Sequence, residues 1–291
     1  MTMEPAKSHA VHKPWGSPDI APWSRLGDGA PIGEVWFERA GASVPPALLL
    51  KLLFTSAPLS LQVHPDDRLA QSLGQQNGKT EAWYVLAARP DAKIAIGLTH
   101  DLPPEALRLA IDDGSIAALA NWQKIERGQS VLVEAGSIHA IGAGLVIVEV
   151  QQRSDTTYRL FDNGSDRELH PDLAVSASAA MQDFAKVAPA QPNRGREVLA
   201  QSPYFVLERF AFEPGVNWTI DAVGEAWLLV VAGALAFDNA LLAVGEAMFI
   251  EGDRAKFRAI AAGTSAVLAY VASAPIAGLI TRNDFPSGAT P

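Results

Sequence analysis

The 291-residue chain contains no cysteine, which excludes disulfides and thiolate ligands, so any metal it holds must sit on nitrogen and oxygen. Long hydrophobic runs are missing too. The longest, AWLLVVAGALAF at 226–237, has 12 residues where a membrane-spanning helix needs roughly 20. The opening MTMEPAKSHAVHKPWG has no apolar stretch of signal-peptide length, so the expectation is a soluble, cytoplasmic protein with no membrane partner. Basic charge is also short: 23 Lys and Arg face 32 Asp and Glu, a formal charge of −9, and no long basic run appears. Nucleic acid is therefore not an expected partner, and an anionic ligand would need its own local cations. The six histidines lie at 9, 12, 64, 100, 139 and 170. A histidine-based site therefore belongs to the first part of the chain.

What is present reads as a mainly β protein. Short apolar runs such as EAWYVLAA, KIAIGL, SVLVEAG, LVIVEVQQ, TYRLF, FVLERFAF and AVLAYVA are punctuated by Gly, Pro, Asp and Asn. Their length and their Val, Ile, Tyr and Trp content predict strands of a sandwich or barrel. One segment breaks the rhythm. PPEALRLAIDDGSIAALAN, 103–121, spaces Leu107, Ala110 and Ile111 on one helical face, with proline at its start and Gly114 interrupting it. A second helical piece is expected in HPDLAVSASAAMQDFA, and APAQPNRGRE around 188–197 reads as a linker.

An internal echo divides the chain in two. EAWYVLAA at 81–88 is matched by EAWLLVVAG at 225–233, and GQSVLVEAGSIHAIG from Gly128 by GEAMFIEGDRAKFRA from Gly245. The echo predicts two copies of one β unit. Counting from the two glycines sets Lys256 opposite His139.

The stretch SLQVHPDD, 60–67, alternates apolar with polar residues, so as a strand it would present Ser60, Gln62 and His64 on one face and Leu61 and Val63 on the other. Gly128, Glu134, Gly136 and His139 resemble the second motif of the cupins, with Glu134 where that family usually has proline. The resemblance implies a jelly-roll fold with His139 pointing into the barrel. Two imidazoles with a carboxylate such as Glu81 suit a catalytic divalent metal that keeps an open position, and an amide oxygen can be a weaker fourth ligand.

A narrower resemblance covers about residues 12–170. SLQVHPDD, GKTEAWYVL, GSIHAIGAG and EVQQRSDTTYRLFD, with HKPWG and IGEVW before them, resemble the signature blocks of type I phosphomannose isomerases in their short bacterial form. The resemblance implies zinc on Gln62, His64, Glu81 and His139, a catalytic Arg159, and substrate contacts from Ser60 and Lys79. On the residues alone Lys79 could equally be a solvated loop lysine. Glu149 and Gln151 share a strand face that could be the inner or the outer wall, and Trp15 and Trp36 read as core rather than as a sugar platform. After Phe161 the sequence matches the family poorly.

These readings give a mainly β, double-cupin protein with a short helical insertion. Residues 1–187 are expected to form the metal-binding catalytic cupin, with the insertion near 103–121. Residues 198–291 would form a second, degenerate cupin without a metal site. The expected function is zinc-dependent interconversion of mannose 6-phosphate and fructose 6-phosphate, as monomer or homodimer, on a small-molecule hexose 6-phosphate substrate. Two other readings are an Fe(II) cupin oxygenase and a non-catalytic sugar-phosphate-binding regulator. Gln62 with Lys79 favours the isomerase over the first, and the full ligand set with Arg159 favours catalysis over the second.

Overall fold

The computed structural model describes residues 2–41, 44–165, 167–178, 195–238 and 240–283. The end of the expected second helical piece and most of the expected linker lie outside them. Four antiparallel sheets make up the fold, two for each half of the chain. In the first half a six-stranded sheet runs Lys7–Ser17, Ile32–Glu38, Leu48–Thr55, Leu145–Gln152, Glu81–Ala88, Ser130–Val133. It faces a five-stranded sheet of Tyr158–Phe161, Leu61–Val63, His139–Ile141, Lys93–Leu98 and Ala120–Lys124. Between them Trp83, Val85, Ile94, Ile96, Ile141 and Ile147 fill a barrel interior.

The second half repeats the pattern. Its large sheet runs Arg196–Gln201, Val206–Ala211, Ser265–Tyr270, Ala226–Ala232, Ala247–Glu251, and Thr2–Pro5 from the N-terminus is added at the far edge. Its small sheet runs Ile280–Arg282, Asn217–Ala222, Asp253–Ala259, Ala234–Phe237, Leu241–Ala243. The two large sheets pack face to face. Phe37, Leu50, Leu52, Tyr84 and Val150 from one meet Leu207, Trp227, Leu229, Phe249 and Val267 from the other, each such side chain contributing about 1.5–3 kcal/mol by its burial. The Glu225 carboxylate ties the halves by accepting from the backbone N–H of Leu48 at 2.9 Å and of Ala47.

The outer face of the first half's small sheet is apolar and covered. Leu61, Val63, Ala95, Ala140, Tyr158 and Leu160 pack beneath Leu107, Ile111, Ile116 and Ala174 of three short helices. These are Pro104–Asp112 and Ile116–Leu119, on either side of Gly114 with its φ of +77°, and Pro171–Ala177. The helical run stops at Leu119, two residues short of the sequence expectation, because Ala120 already begins a strand.

The register between the halves corrects the sequence echo. Val85 exchanges backbone hydrogen bonds with the Gly128–Gln129 turn, and Val230 makes the same pair with Gly245–Glu246. Val85 therefore matches Val230, and Glu81 matches Ala226 rather than Glu225. Lys256 is not opposite His139 either: its side chain is exposed, while Ala255 lies in the second barrel interior. Pairing agrees, since His139 stands across from Gln62 and Ala255 across from Ile220. A single residue is dropped between Glu251 and Ala255, and a slip of one residue in a strand turns every side chain to the other face.

Candidate metal centre and cleft

Local chemistry explains why SLQVHPDD places its side chains as it does. Leu61 and Val63 take the helix-covered side, which turns Ser60 and Gln62 toward a cleft in the barrel mouth. Asp66 caps the helix Asp67–Ser72 by accepting from Leu69 N at 2.8 Å. Asp67 Oδ1 accepts from Gly78 N at 2.8 Å and from Gln152 Nε2 at 2.9 Å, and Lys79 N donates to Pro65 O at 3.0 Å. The GKTE segment is thereby laid along HPDD. A Cβ at Gly78 would lie 2.5 Å from Pro65 O, so only glycine fits this crossing.

His64, Glu81 and His139 converge from three strand ends, all of them buried. His64 Nε2 stands 3.4 Å from Glu81 Oε2, and His139 Nε2 stands 3.5 Å from Glu81 Oε1. Backbone carbonyls fix both tautomers: His64 Nδ1 donates to Thr156 O and His139 Nδ1 to Ser137 O, each at 2.8 Å. Each Nε2 therefore carries its lone pair toward the shared space. Gln62 Nε2 donates to His139 Nε2 at 3.2 Å, while Ser60 Oγ donates to Gln62 Oε1 at 3.1 Å. A half-turn of that amide exchanges its oxygen for its nitrogen and lets Ser60 accept instead.

A divalent metal fits these residues. Buried polar atoms without a hydrogen-bond partner include His64 Nε2 and Glu81 Oε2, a costly arrangement for a site meant to stay empty of charge. Ligands bound at about 2.0–2.1 Å in tetrahedral geometry lie about 3.3 Å from one another, close to the separations seen. The electrostatics agree. Burial, then the Lys79 ammonium, pushes His64 down to about 3, and burial also lowers His139, so both rings are neutral. Burial alone would raise the Glu81 carboxyl, but Lys79 and His64 outweigh it and hold it well below the usual range.

Lys79 is buried, its Nζ 3.3 Å from Glu81 Oε2, so the solvated-loop alternative is overturned. Ser60, Gln62, Lys79 and Arg159 all line one cleft, whose other cations are Lys13, Lys51 and Arg167. Arg159 lies across from Gln62 in the strand pairing. Of the two acids that could pair with it on sequence, Asp155 and Asp162, Asp162 is held by Arg167 at 2.7 Å and, among the described residues, neither forms an ion pair with Arg159. Trp15 is core and also cleft wall, and Trp36 lies under Lys51 Nζ at 4.6 Å.

Sequence reasoning missed a ladder of charge across the cleft floor. Lys51 Nζ lies 3.6 Å from Glu34 and 3.4 Å from Glu149, while Trp83 Nε1 donates to Glu149 at 3.2 Å and to Glu81 at 3.1 Å. Glu149 is thus on the inner wall. Burial, then the neighbouring Glu81 charge, pushes its carboxyl up to about 7. The signal available in the sequence was the lone lysine of LLLKLLFT, a charge that could not be left unpaired in so apolar a strand.

No family model matches the chain. It is 35% identical over 208 residues to the mannose-6-phosphate isomerase of Streptococcus mutans, covering 65% of this chain and 64% of that one. A mannose-6-phosphate isomerase of Bacillus subtilis is 40% identical over 130 residues, 42% of this chain and 41% of the relative. The chain therefore matches less than two thirds of the length of these relatives. Among solved structures, the mannose 6-phosphate isomerase from Bacillus subtilis superimposes with a TM-score of 0.79 and 22% identity, covering 92% of this chain and 99% of that one. The fold is that of the mannose 6-phosphate isomerases. A mutant of the phosphomannose isomerase from Salmonella typhimurium gives a TM-score of 0.72 at 15% identity, with 93% and 100% covered. Among the described residues no helix is long and apolar enough to cross a membrane.

Proposed function

We propose that this chain is a zinc-dependent aldose–ketose isomerase that interconverts mannose 6-phosphate and fructose 6-phosphate through a cis-enediol, in the cytoplasm. The observation that carries the reading is the buried His64–Glu81–His139 cluster, with both imidazole lone pairs aimed inward, beside a cleft rich in cations. Gln62, His64, Glu81 and His139 would hold the metal, which would supply Lewis-acid polarisation of the sugar's carbonyl and hydroxyl oxygens. The first half of the chain, near 1–187, is the catalytic unit in this reading, and 198–291 serves as its structural companion.

The chain's own residues perform the remaining tasks. Moving a proton between C1 and C2 develops negative charge on oxygen, and Arg159, always cationic, would stabilise it. Ser60 orients the Gln62 amide and lines the substrate wall beside Lys79. Lys79 also keeps Glu81 ionised, while Lys13 and Arg167, which are ion-paired with Glu34 and Asp162, line the same cleft and would meet a 6-phosphate there. Glu149, with a carboxyl near neutrality in its pKa, is the cleft group suited to hold and release a proton.

Metal analysis of purified protein, paired with an assay for fructose 6-phosphate formed from mannose 6-phosphate, tests this. Close to one zinc per chain is expected, with turnover abolished by chelation and restored by zinc. Full turnover in metal-free protein would remove the metal from the reaction.

A further inference from the structure

The second half carries a site of a different kind on the outer face of its small sheet. In the first half that face lies beneath Pro171–Ala177 and the two helices carried by the long connection, 99–119, between Lys93–Leu98 and Ala120–Lys124. The matching connection in the second half spans only 238–240, between Ala234–Phe237 and Leu241–Ala243. That connection is too short for such helices, and among the described residues the face is left open. It holds a concavity of about 650 Å³ lined in part by Asn217, Thr219, Arg254, Lys256, Arg258 and Asn283.

The charge on this face is arranged rather than scattered. Arg254, Lys256 and Arg258 are exposed at alternate positions of Asp253–Ala259, a strand with neighbours on both sides, so they do not guard a free sheet edge. Alternate residues on one strand face lie about 7 Å apart, and three like charges in a row repel one another. Arg254 has Asp221 at 3.9 Å, whereas among the described residues neither Lys256 nor Arg258 has an ion-pair partner. Asp238 on the rim opposes the charge only in part. Neutral polar groups stand beside the two cations: Thr219 pairs with Lys256 and Asn217 with Arg258 across the strands. Asn283 Nδ2 donates to Thr219 Oγ1 at 2.7 Å, fixing the floor between them.

We propose that this concavity binds a small metabolite bearing two separated phosphate groups, with Lys256 and Arg258 each holding one phosphate and the amides of Asn217 and Asn283 meeting hydroxyls between. The site does not depend on the isomerase reading, since it shares no residue with the cleft. Charge complementarity selects the occupant: a chain of net charge −9 has gathered cations that lack ion-pair partners among the described residues into a hollow of small-molecule size, spaced for two anionic groups.

Isothermal titration of the zinc-loaded, full-length protein with fructose 1,6-bisphosphate as probe tests the proposal, at low ionic strength because exposed charge is screened by salt. Wild type should bind with millimolar affinity or better, and Lys256→Glu/Arg258→Glu should weaken this at least tenfold while mannose 6-phosphate turnover stays unchanged. The milder Lys256→Gln/Arg258→Gln pair should show the same direction, and Arg159→Ala should leave this binding intact. Three results would overturn it: no binding by wild type, equal binding by the charge-reversed variant, or loss of binding in Arg159→Ala alone, which would assign the probe to the cleft. Inorganic phosphate binding as tightly as the bisphosphate would overturn the two-group recognition.

Discussion

Replacing Glu149 by glutamine keeps the side chain's shape, leaves Lys51 its Glu34 partner at 3.6 Å, and removes one titration from the cleft floor. The Glu149 carboxyl is raised from an ordinary 4.5 to about 7, so the folded protein binds more protons than the unfolded chain between those values. Stability from this group is fully present below pH 4.5 and is lost as pH rises through 7. At about 1.4 kcal/mol per pH unit for one proton, the loss across the window is about 3 kcal/mol. His64 acts with the opposite sign. It is lowered from 6.5 to about 3, so the unfolded chain takes up the proton first and stability declines as pH falls below 6.5. In wild type the two slopes oppose each other between pH 4.5 and 6.5, with His139 adding to the His64 side. The Glu149→Gln variant should lose the Glu149 slope and keep the histidine one, while the raised Glu208 and Glu225 carboxyls act equally in both proteins. Urea unfolding of chelator-treated protein from pH 4.5 to 7.5 gives the comparison: wild-type stability minus variant stability should fall by about 3 kcal/mol across the range. Parallel pH profiles would show that Glu149 does not hold a proton in the folded state, and its proposed part in proton transfer would fall with it.

Arg159→Ala should retain zinc yet lose about 10²-fold or more in kcat, the scale of removing one transition-state donor, whereas His139→Ala should lose zinc and turnover together; equal zinc loss in both would make Arg159 structural. Gly78→Ala drives a Cβ into Pro65 O at 2.5 Å and Asp67 N at 2.7 Å, and should cost about 1–3 kcal/mol together with a fall in kcat/KM as Lys79 is displaced. An unchanged Tm and kcat/KM would show that the HPDD–GKTE crossing yields without consequence.

Strand alternation makes part of this site legible in the sequence. SLQVH is buried beneath helices on one side and faces a polar cleft on the other, so its period of two survives and sorts Ser60 and Gln62 from Leu61 and Val63. Leu48–Thr55 shows the opposite case. It is buried on both faces, between a barrel interior and the packing of the two large sheets, so LLLKLLFT carries no alternation to mark it as a strand. Its Lys51 and the partners Glu34 and Glu149 come from three separate strands, 34 to 149 in the chain. No local pattern brings such a ladder together; only sheet order does.

The EAW echo misleads for a related reason. Matching letters align Glu225 with Glu81, but the hydrogen-bonded turns align Ala226 there. The one-residue difference puts Glu225 and Trp227 on the face between the large sheets, where Trp227 Nε1 donates to Glu225 at 2.9 Å and Glu225 binds the first half's backbone. With the structural register, every position of the first half's centre has an apolar counterpart in the second. Gln62 corresponds to Ile220, His64 to Ala222, Glu81 to Ala226, His139 to Ala255 and, through the strand beside them, Arg159 to Ile280. All five of these counterparts lie in the second barrel's hydrophobic core. A barrel that buries a carboxylate oxygen and an imidazole nitrogen without hydrogen-bond partners gives up stability that a bound ion would restore. Filling the companion barrel with Ile and Ala removes that cost and leaves a rigid face of Trp227, Leu229 and Phe249 against the back of the strands that carry Lys51, Glu81 and Glu149. Rigidity there is what a site needs when its ligand atoms must stay within a few tenths of an ångström of their working positions.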